Sequence, residues 1–260
     1  MVEILIYTSI AGIIGTSLGG LVGVFFGKSS EKITSMLLSL AGGIMLAITF
    51  FDLIPESLEL GDIWVTTFGI IWAIIILYFI DNFINRKNKL PGTKTKAQVL
   101  ALILKESNPQ KRNAHLFKTG MVMFLAIALH DLPEGLAIGT LNSTHSNMAL
   151  ALTILIAIHN IPEGMAISVP LVASGARKST AFLLSFISGS ATVLGGILGL
   201  VLGNINSTIT SFSLALAGGA MLYVTIMELL PEMLELDNSK SPKILFIIGI
   251  MLGLILIQVI

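Results

Sequence analysis

Two hexapeptides carry the residues that could do chemistry. HDLPEG occupies 130–135 and HNIPEG occupies 159–164, each within a run of Leu, Ile and Ala. His130 and Glu134 stand four apart, so on a helix they share one face, a turn from each other; His159 and Glu163 repeat the arrangement. Asp131 and Asn160 follow the histidines, about 100° round the helix and beside the same seam. Two antiparallel helices facing along that seam would gather two imidazoles and two carboxylates. Inside a bilayer a charged side chain costs at least about 2.5 kcal/mol on insertion scales. From 119 to 176 no Lys or Arg stands near Asp131, Glu134 and Glu163 to offset that cost. A bound cation supplies the missing charge. Imidazole nitrogen with carboxylate oxygen suits zinc and other divalent first-row metals. The chain has no cysteine, which removes disulfides, thiolate sites and thiol nucleophiles and argues against a copper(I) or cadmium specialist. Pro133 cannot donate to the carbonyl of Leu129, nor Pro162 to that of Ile158. Carbonyls freed in this way are tolerated where they line a cavity or meet a cation. Gly135 and Gly164 permit close backbone approach.

The elements that hold these motifs are membrane helices. Of the 260 residues 54% are apolar and 12% charged, about half the charge of a soluble domain. Apolar runs long enough to cross the bilayer recur at 4–27, 34–57, 63–84, 117–141, 147–173, 178–203, 208–234 and 242–260. The expected class is therefore an all-α integral membrane protein of eight transmembrane helices, a single transporter-like domain over 1–260. Helices 1–3 occupy 1–84, helices 4–5 occupy 117–173 and helices 6–8 occupy 178–260. The first run has no basic residue ahead of it, so it reads as a retained helix rather than a signal peptide.

Charge fixes an expected orientation. With both termini outside, Lys28 and Lys32, the basic residues of 85–118, Arg177 with Lys178, and Lys240 with Lys243 all fall on the cytoplasmic side. That is the positive-inside bias in complete form. The connection 85–116 reads as a cytoplasmic, solvated linker whose basic face can meet anionic lipid. Net charge is zero, and no basic stripe suggests nucleic acid.

An internal repeat accompanies the paired hexapeptides. AGGIMLAITFFDLIPESLEL (41–60) aligns without a gap on AGGAMLYVTIMELLPEMLEL (217–236), matching Asp52 to Glu228, Pro55 to Pro231 and Glu56 to Glu232. Helix 2 thus corresponds to helix 7 and helix 4 to helix 5. The partners cross in opposite directions, which gives a 3+2+3 inverted repeat, an organisation of secondary transporters with the substrate near the midplane. Asp52, toward the outer end of helix 2, and Glu228, toward the inner end of helix 7, are candidate gates. Met45 is a candidate soft ligand on the same path, with plain packing the alternative. Glu56, Glu59, Glu232 and Glu235 read as solvated end residues, and His115 and His145 as solvated residues outside the spans. Trp64 and Tyr78 read as interface anchors.

ALHDLPEGLAIG and AIHNIPEGMAIS resemble the helix 4 and helix 5 signatures of the ZIP (zinc/iron-regulated transporter-like) family, in its bacterial GufA-like branch. The helix count, outer N-terminus and basic 3–4 loop agree over the whole chain. The resemblance implies transport of divalent metal, chiefly Zn2+ with Fe2+, Mn2+, Co2+ or Cd2+ as alternatives, toward the cytoplasm across the cell membrane. It implies a binuclear centre: His130, Glu134, His159 and Glu163 at the first site, with Asp131, Asn160 and both bridging glutamates at the second. Met45, Asp52 and Glu228 match the family's pathway positions. An elevator motion is implied, helices 1, 4, 5 and 6 against 2, 3, 7 and 8, in proteins that are often homodimers. One departure stands out. Where the family pattern is SG-x-x-EP in helix 6, this chain reads SGSATV at 188–193, placing Thr192 at the glutamate position. Asp131 stands where Asn is common, so a negative charge is expected to have moved from helix 6 to helix 4.

Two other classes are disfavoured. An intramembrane metallohydrolase would need His-Glu-x-x-His on one helix, and the pattern here is His-x-x-Pro-Glu. A metal sensor would need a signalling domain, and 85–116 is too short for one. No phosphate-binding loop points to ATP.

Overall fold

The computed structural model describes residues 2–27, 30–86, 109–144, 146–202 and 207–259. Among them are eight helices long and apolar enough to span a membrane. They are α1 (Val2–Phe26), α2 (Glu31–Leu60), α3 (Ile63–Arg86), α4 (Pro109–Thr144), α5 (Ser146–Ala173), α6 (Lys178–Leu202), α7 (207–236) and α8 (Lys240–Val259). All eight expected spans are present. The largest boundary difference is at α4, which starts at Pro109 rather than 117. Proline is suited to a first helical turn, where its missing N–H has no partner to lose. The expected loop 85–116 therefore gives its last residues to α4, and 87–108 lie outside the described residues.

Local chemistry sets several ends. The Ser30 hydroxyl accepts from the Ile33 amide at 3.2 Å and caps α2. Asp62 Oδ1 accepts from the amides of Trp64 and Val65, each at 2.9 Å, at the start of α3. At the end of α5, Gly175 has φ +92°. The Gly175 amide donates to the Val172 carbonyl and the Ala176 amide to the Leu171 carbonyl, both at 3.1 Å. This is a Schellman closure, and it turns the chain directly into α6.

Burial separates the helices. In their membrane windows α5 is 71% buried, α7 67%, and α2 and α4 61%, against 22% for α3 and 17% for α8. The inner four are those that carry the sequence motifs. Trp64, Phe68, Phe79 and Ile247 are exposed on the outer helices, as expected where lipid replaces water. The packing falls into two groups. α4 lies on α5 and α6, and α1 lies on α5 and α6; α2 lies on α8, and α3 on α7. Across the groups α7 meets α4 and α2 meets α5.

α1 crosses α6 so closely that a methyl on Gly12 would meet the Gly189 carbonyl, and one on Gly189 the Gly12 carbonyl. Small residues allow this approach where no hydrophobic force draws helices together. At the far end of α2, Ser57 donates to the Ser211 carbonyl at 2.8 Å and Ser211 donates to the Ser57 carbonyl at 2.7 Å. This reciprocal pair ties α2 to α7.

Three helices contain π-helical segments: Ser9–Ile14 in α1, Thr49–Leu53 in α2 and Thr225–Leu229 in α7. The last two coincide in the repeat alignment, and each ends just ahead of a proline, Pro55 or Pro231. A missing N–H and a threonine side chain both disturb the i→i−4 ladder. The Thr49 hydroxyl takes the Met45 carbonyl at 2.8 Å. Asp52 and Glu228 lie inside these segments, a common setting for functional residues.

Candidate metal centre

Helices α4 and α5 run side by side and bring the two hexapeptides together. Each stays helical through its proline, Pro133 in α4 and Pro162 in α5, as it does through Pro170. A methyl on Gly135 would meet the carbonyl of Thr192 on α6, and one on Gly164 the carbonyl of Thr16 on α1. The two glycines thus seat α6 and α1 against the back of the site.

Glu134 Oε1 lies 2.8 Å from His130 Nε2 and 2.7 Å from His159 Nε2. Glu163 Oε1 lies 3.3 Å from His130 Nε2. One ligand atom from each of His130, Glu134, His159 and Glu163 lies within 4.8 Å of all the others. All four side chains are buried, none more than 3% exposed. His130 Nε2 is close to both carboxylates without the alignment of a hydrogen bond, and both oxygens of Glu163 lack a donor. Lone pairs that converge on a point, rather than pairing off, are what a cation needs. Buried polar atoms otherwise find partners.

The second expected set surrounds this cluster. Asp131 is fully buried, interacts with the Glu163 carboxyl, and finds a donor for neither oxygen among the described residues. The Asn160 amide nitrogen donates to the Ala11 carbonyl at 3.1 Å, inside the π-helical segment of α1. That bond fixes the amide orientation and leaves Asn160 Oδ1 without a donor. Thr192 is fully buried, with its hydroxyl unpartnered, where α6 meets Gly12 of α1 and Gly135 of α4.

The outlying residues divide. Met45 is wholly buried in the main apolar core, as packing. Asp52 is half-buried and within electrostatic range of His159 and Glu134. Glu228 is 6% exposed and has Lys118 Nζ at 3.4 Å. One expectation fails and one holds in part. Glu232 is buried, not solvated; His115 is exposed as expected but lies within α4 rather than outside the spans, its Nε2 3.1 Å from Glu232 Oε2. The early start of α4 carries His115 alongside Glu232 of α7. His145 lies outside the described residues.

The sequence reading missed Thr16 as a partner of Gly164, and Lys118 and Asp81 as a partly buried ion pair. The first was visible: the register that lays Asp52 on Glu228 also lays TSLGG (16–20) on TVLGG (192–196), matching Thr16 to Thr192. The second had no local signal, because Lys118 reads as an ordinary basic flank.

Comparison with known proteins identifies the family. The family model described as ZIP Zinc transporter matches residues 2–260. The chain belongs to the ZIP family. A protein named Zinc transporter ZupT from Clostridium perfringens is 30% identical over 97% of this chain and 92% of its own length. A ZupT from an Enterobacter species is 32% identical over 98% and 96%, and one from Lysinibacillus sphaericus 31% over 89% and 88%. As a ZIP protein the chain is a multi-pass membrane transporter of divalent metal and not an enzyme.

Proposed function

We propose that this ZIP protein carries Zn2+ into the cytoplasm through the His130, Glu134, His159 and Glu163 centre. The supporting observation is the buried four-ligand cluster, which holds unpaired carboxylate oxygens and converging imidazoles with no lysine or arginine among its contacts. The names of the relatives support zinc as substrate; Fe2+, Mn2+, Co2+ and Cd2+ are the alternatives for the same donors. Asp131, Asn160 and both bridging glutamates form a second site, with the Asp131 carboxylate supplying the charge that Thr192 lacks.

Delivery proceeds by an elevator motion of α1, α4, α5 and α6 against α2, α3, α7 and α8. The packing groups support that division, and the repeated π-helical segments support an inverted 3+2+3 origin. Asp52 lies on the outer approach and Glu228 on the inner one. Residues Gly27, Glu31, Arg112, Ala173 and Leu236 line one cavity of about 330 Å³. Five helix ends therefore share one face, the face that the basic connections assign to the cytoplasm, with both termini on the other. A −100 mV potential favours inward movement of a divalent ion by about 4.6 kcal/mol if its two charges move uncompensated. The test is zinc uptake into proteoliposomes with a zinc-responsive dye inside. Uptake by the unaltered chain that collapses in Glu134→Ala and Glu163→Ala supports the reading. No uptake of zinc, iron(II), manganese or cobalt by folded protein overturns it.

A further inference from the structure

Between the metal centre and the shared face, α4 meets α3 and α7 through a second buried polar cluster. Lys118 Nζ on α4 lies 2.7 Å from Asp81 Oδ1 on α3 and 3.4 Å from Glu228 Oε1 on α7. The next residue, Thr119, donates its hydroxyl toward Glu228 Oε2 at 3.4 Å and Glu232 Oε2 at 3.3 Å. One turn before Lys118, His115 Nε2 stands 3.1 Å from Glu232 Oε2. Glu228 and Glu232 are 6% and 2% exposed and Lys118 15%. Among the described residues Lys118 is thus the permanent cation that reaches Asp81 and Glu228, and it belongs to the opposite packing group from them.

Arg112 pairs with Glu31 on the same end of α4, but that pair is half-exposed and contributes little. Lys118 is different, because removing one partner of a buried pair leaves an uncompensated charge. An ammonium is a compact point charge that competes for the same hard oxygens as a divalent ion. Along α4 this cluster stands between Arg112, at the shared face, and His130 of the four-ligand centre.

We propose that Lys118 is a tethered stand-in for the cargo: its ammonium neutralises Glu228 and Asp81 while no metal is passing, and the departing divalent ion exchanges with it. Lys118 thereby keeps the exit carboxylates from retaining the ion. It is a positioning residue, linking the two packing groups through charge. Its role in release rests on transport through the His130 centre; its competition with metal does not.

The experiment starts from the full chain carrying Glu134→Gln and Glu163→Gln, which removes the central carboxylates. Zinc bound per chain is counted by equilibrium dialysis in detergent. Adding Lys118→Met is expected to raise the count by about one equivalent, because a hard-oxygen site loses its competitor. Lys118→Arg is expected to add none, and Glu228→Gln on top of Lys118→Met to abolish the gain. No gain with Lys118→Met, or an equal gain with Lys118→Arg, overturns the proposal. A second measurement needs no substitution at 118. Acetylation of Lys118 by an amine reagent, read by mass spectrometry in the same double variant, rises severalfold with saturating zinc if the ion displaces the ammonium. Unchanged labelling overturns it. Both readouts are independent of uptake, so failure here is distinguishable from failure of the central transport site.

Discussion

Glu134 and His159 meet across the α4–α5 interface, with Oε1 2.7 Å from Nε2. The same oxygen lies 2.8 Å from His130, so Glu134 touches both imidazoles and Glu163 only one of them at comparable range. Loss of a partner that merely orients a ligand costs roughly 10–100-fold in metal affinity. A ligand oxygen shared by both imidazoles should cost at least that much. Zinc titration is expected to show Glu134→Gln weaker than Glu163→Gln, with both weaker than the unaltered chain. Equal affinities in all three would remove these residues from the site.

Asp131 supplies the second site's charge in the proposed arrangement. Asp131→Asn is expected to weaken the second equivalent of bound metal by about tenfold or more while sparing the first. Competition with a chromogenic chelator resolves the two. An unchanged second affinity would sink the charge-transfer idea and leave Asp131 as a buried acid without a role.

Gly135 carries a packing prediction separate from metal. The atom a methyl would meet is a backbone oxygen of Thr192, which cannot swing away as a side chain end can. Gly135→Ala is expected to destabilise by about 1–3 kcal/mol, seen as a lower melting temperature in detergent. An alanine variant that melts with the parent would mean α4 and α6 separate easily.

The Ser57–Ser211 exchange is one polar clasp between α2 and α7. Each hydroxyl bond between membrane helices is worth about 0.6 kcal/mol on average. Ser57→Ala and Ser211→Ala should each cost roughly that much, and the double variant less than the sum, since the two hydroxyls share partners. Strict additivity in a thermal-unfolding cycle would show that the bonds are independent.

The helix count and the candidate metal ligands were legible because both are local. Hydropathy over about twenty residues decides insertion, and His-x-x-x-Glu decides a helical face. Two copies of that face, in a stretch from 119 to 176 without lysine or arginine, already called for a cation. The repeat of 41–60 on 217–236 was legible for the same reason, although the π-helical segments within it were not. Each ends just ahead of a proline that removes one rung of the ladder, and pattern alone does not predict the outcome.

What the amino-acid order determined by itself was therefore the class of protein, the spans and the candidate ligands of the centre. The tertiary structure decided which donors face one another: Glu134 shared between two histidines, Asn160 turned by the carbonyl of Ala11, Glu232 buried against His115, and Lys118 inserted between Asp81 and Glu228. These depend on how far each helix slides along its neighbour and how closely glycines let it approach. Charge in a spanning segment is visible in one dimension; its partner is chosen in three, because in hydrocarbon each buried charge must be met by whichever helix the packing brings within reach.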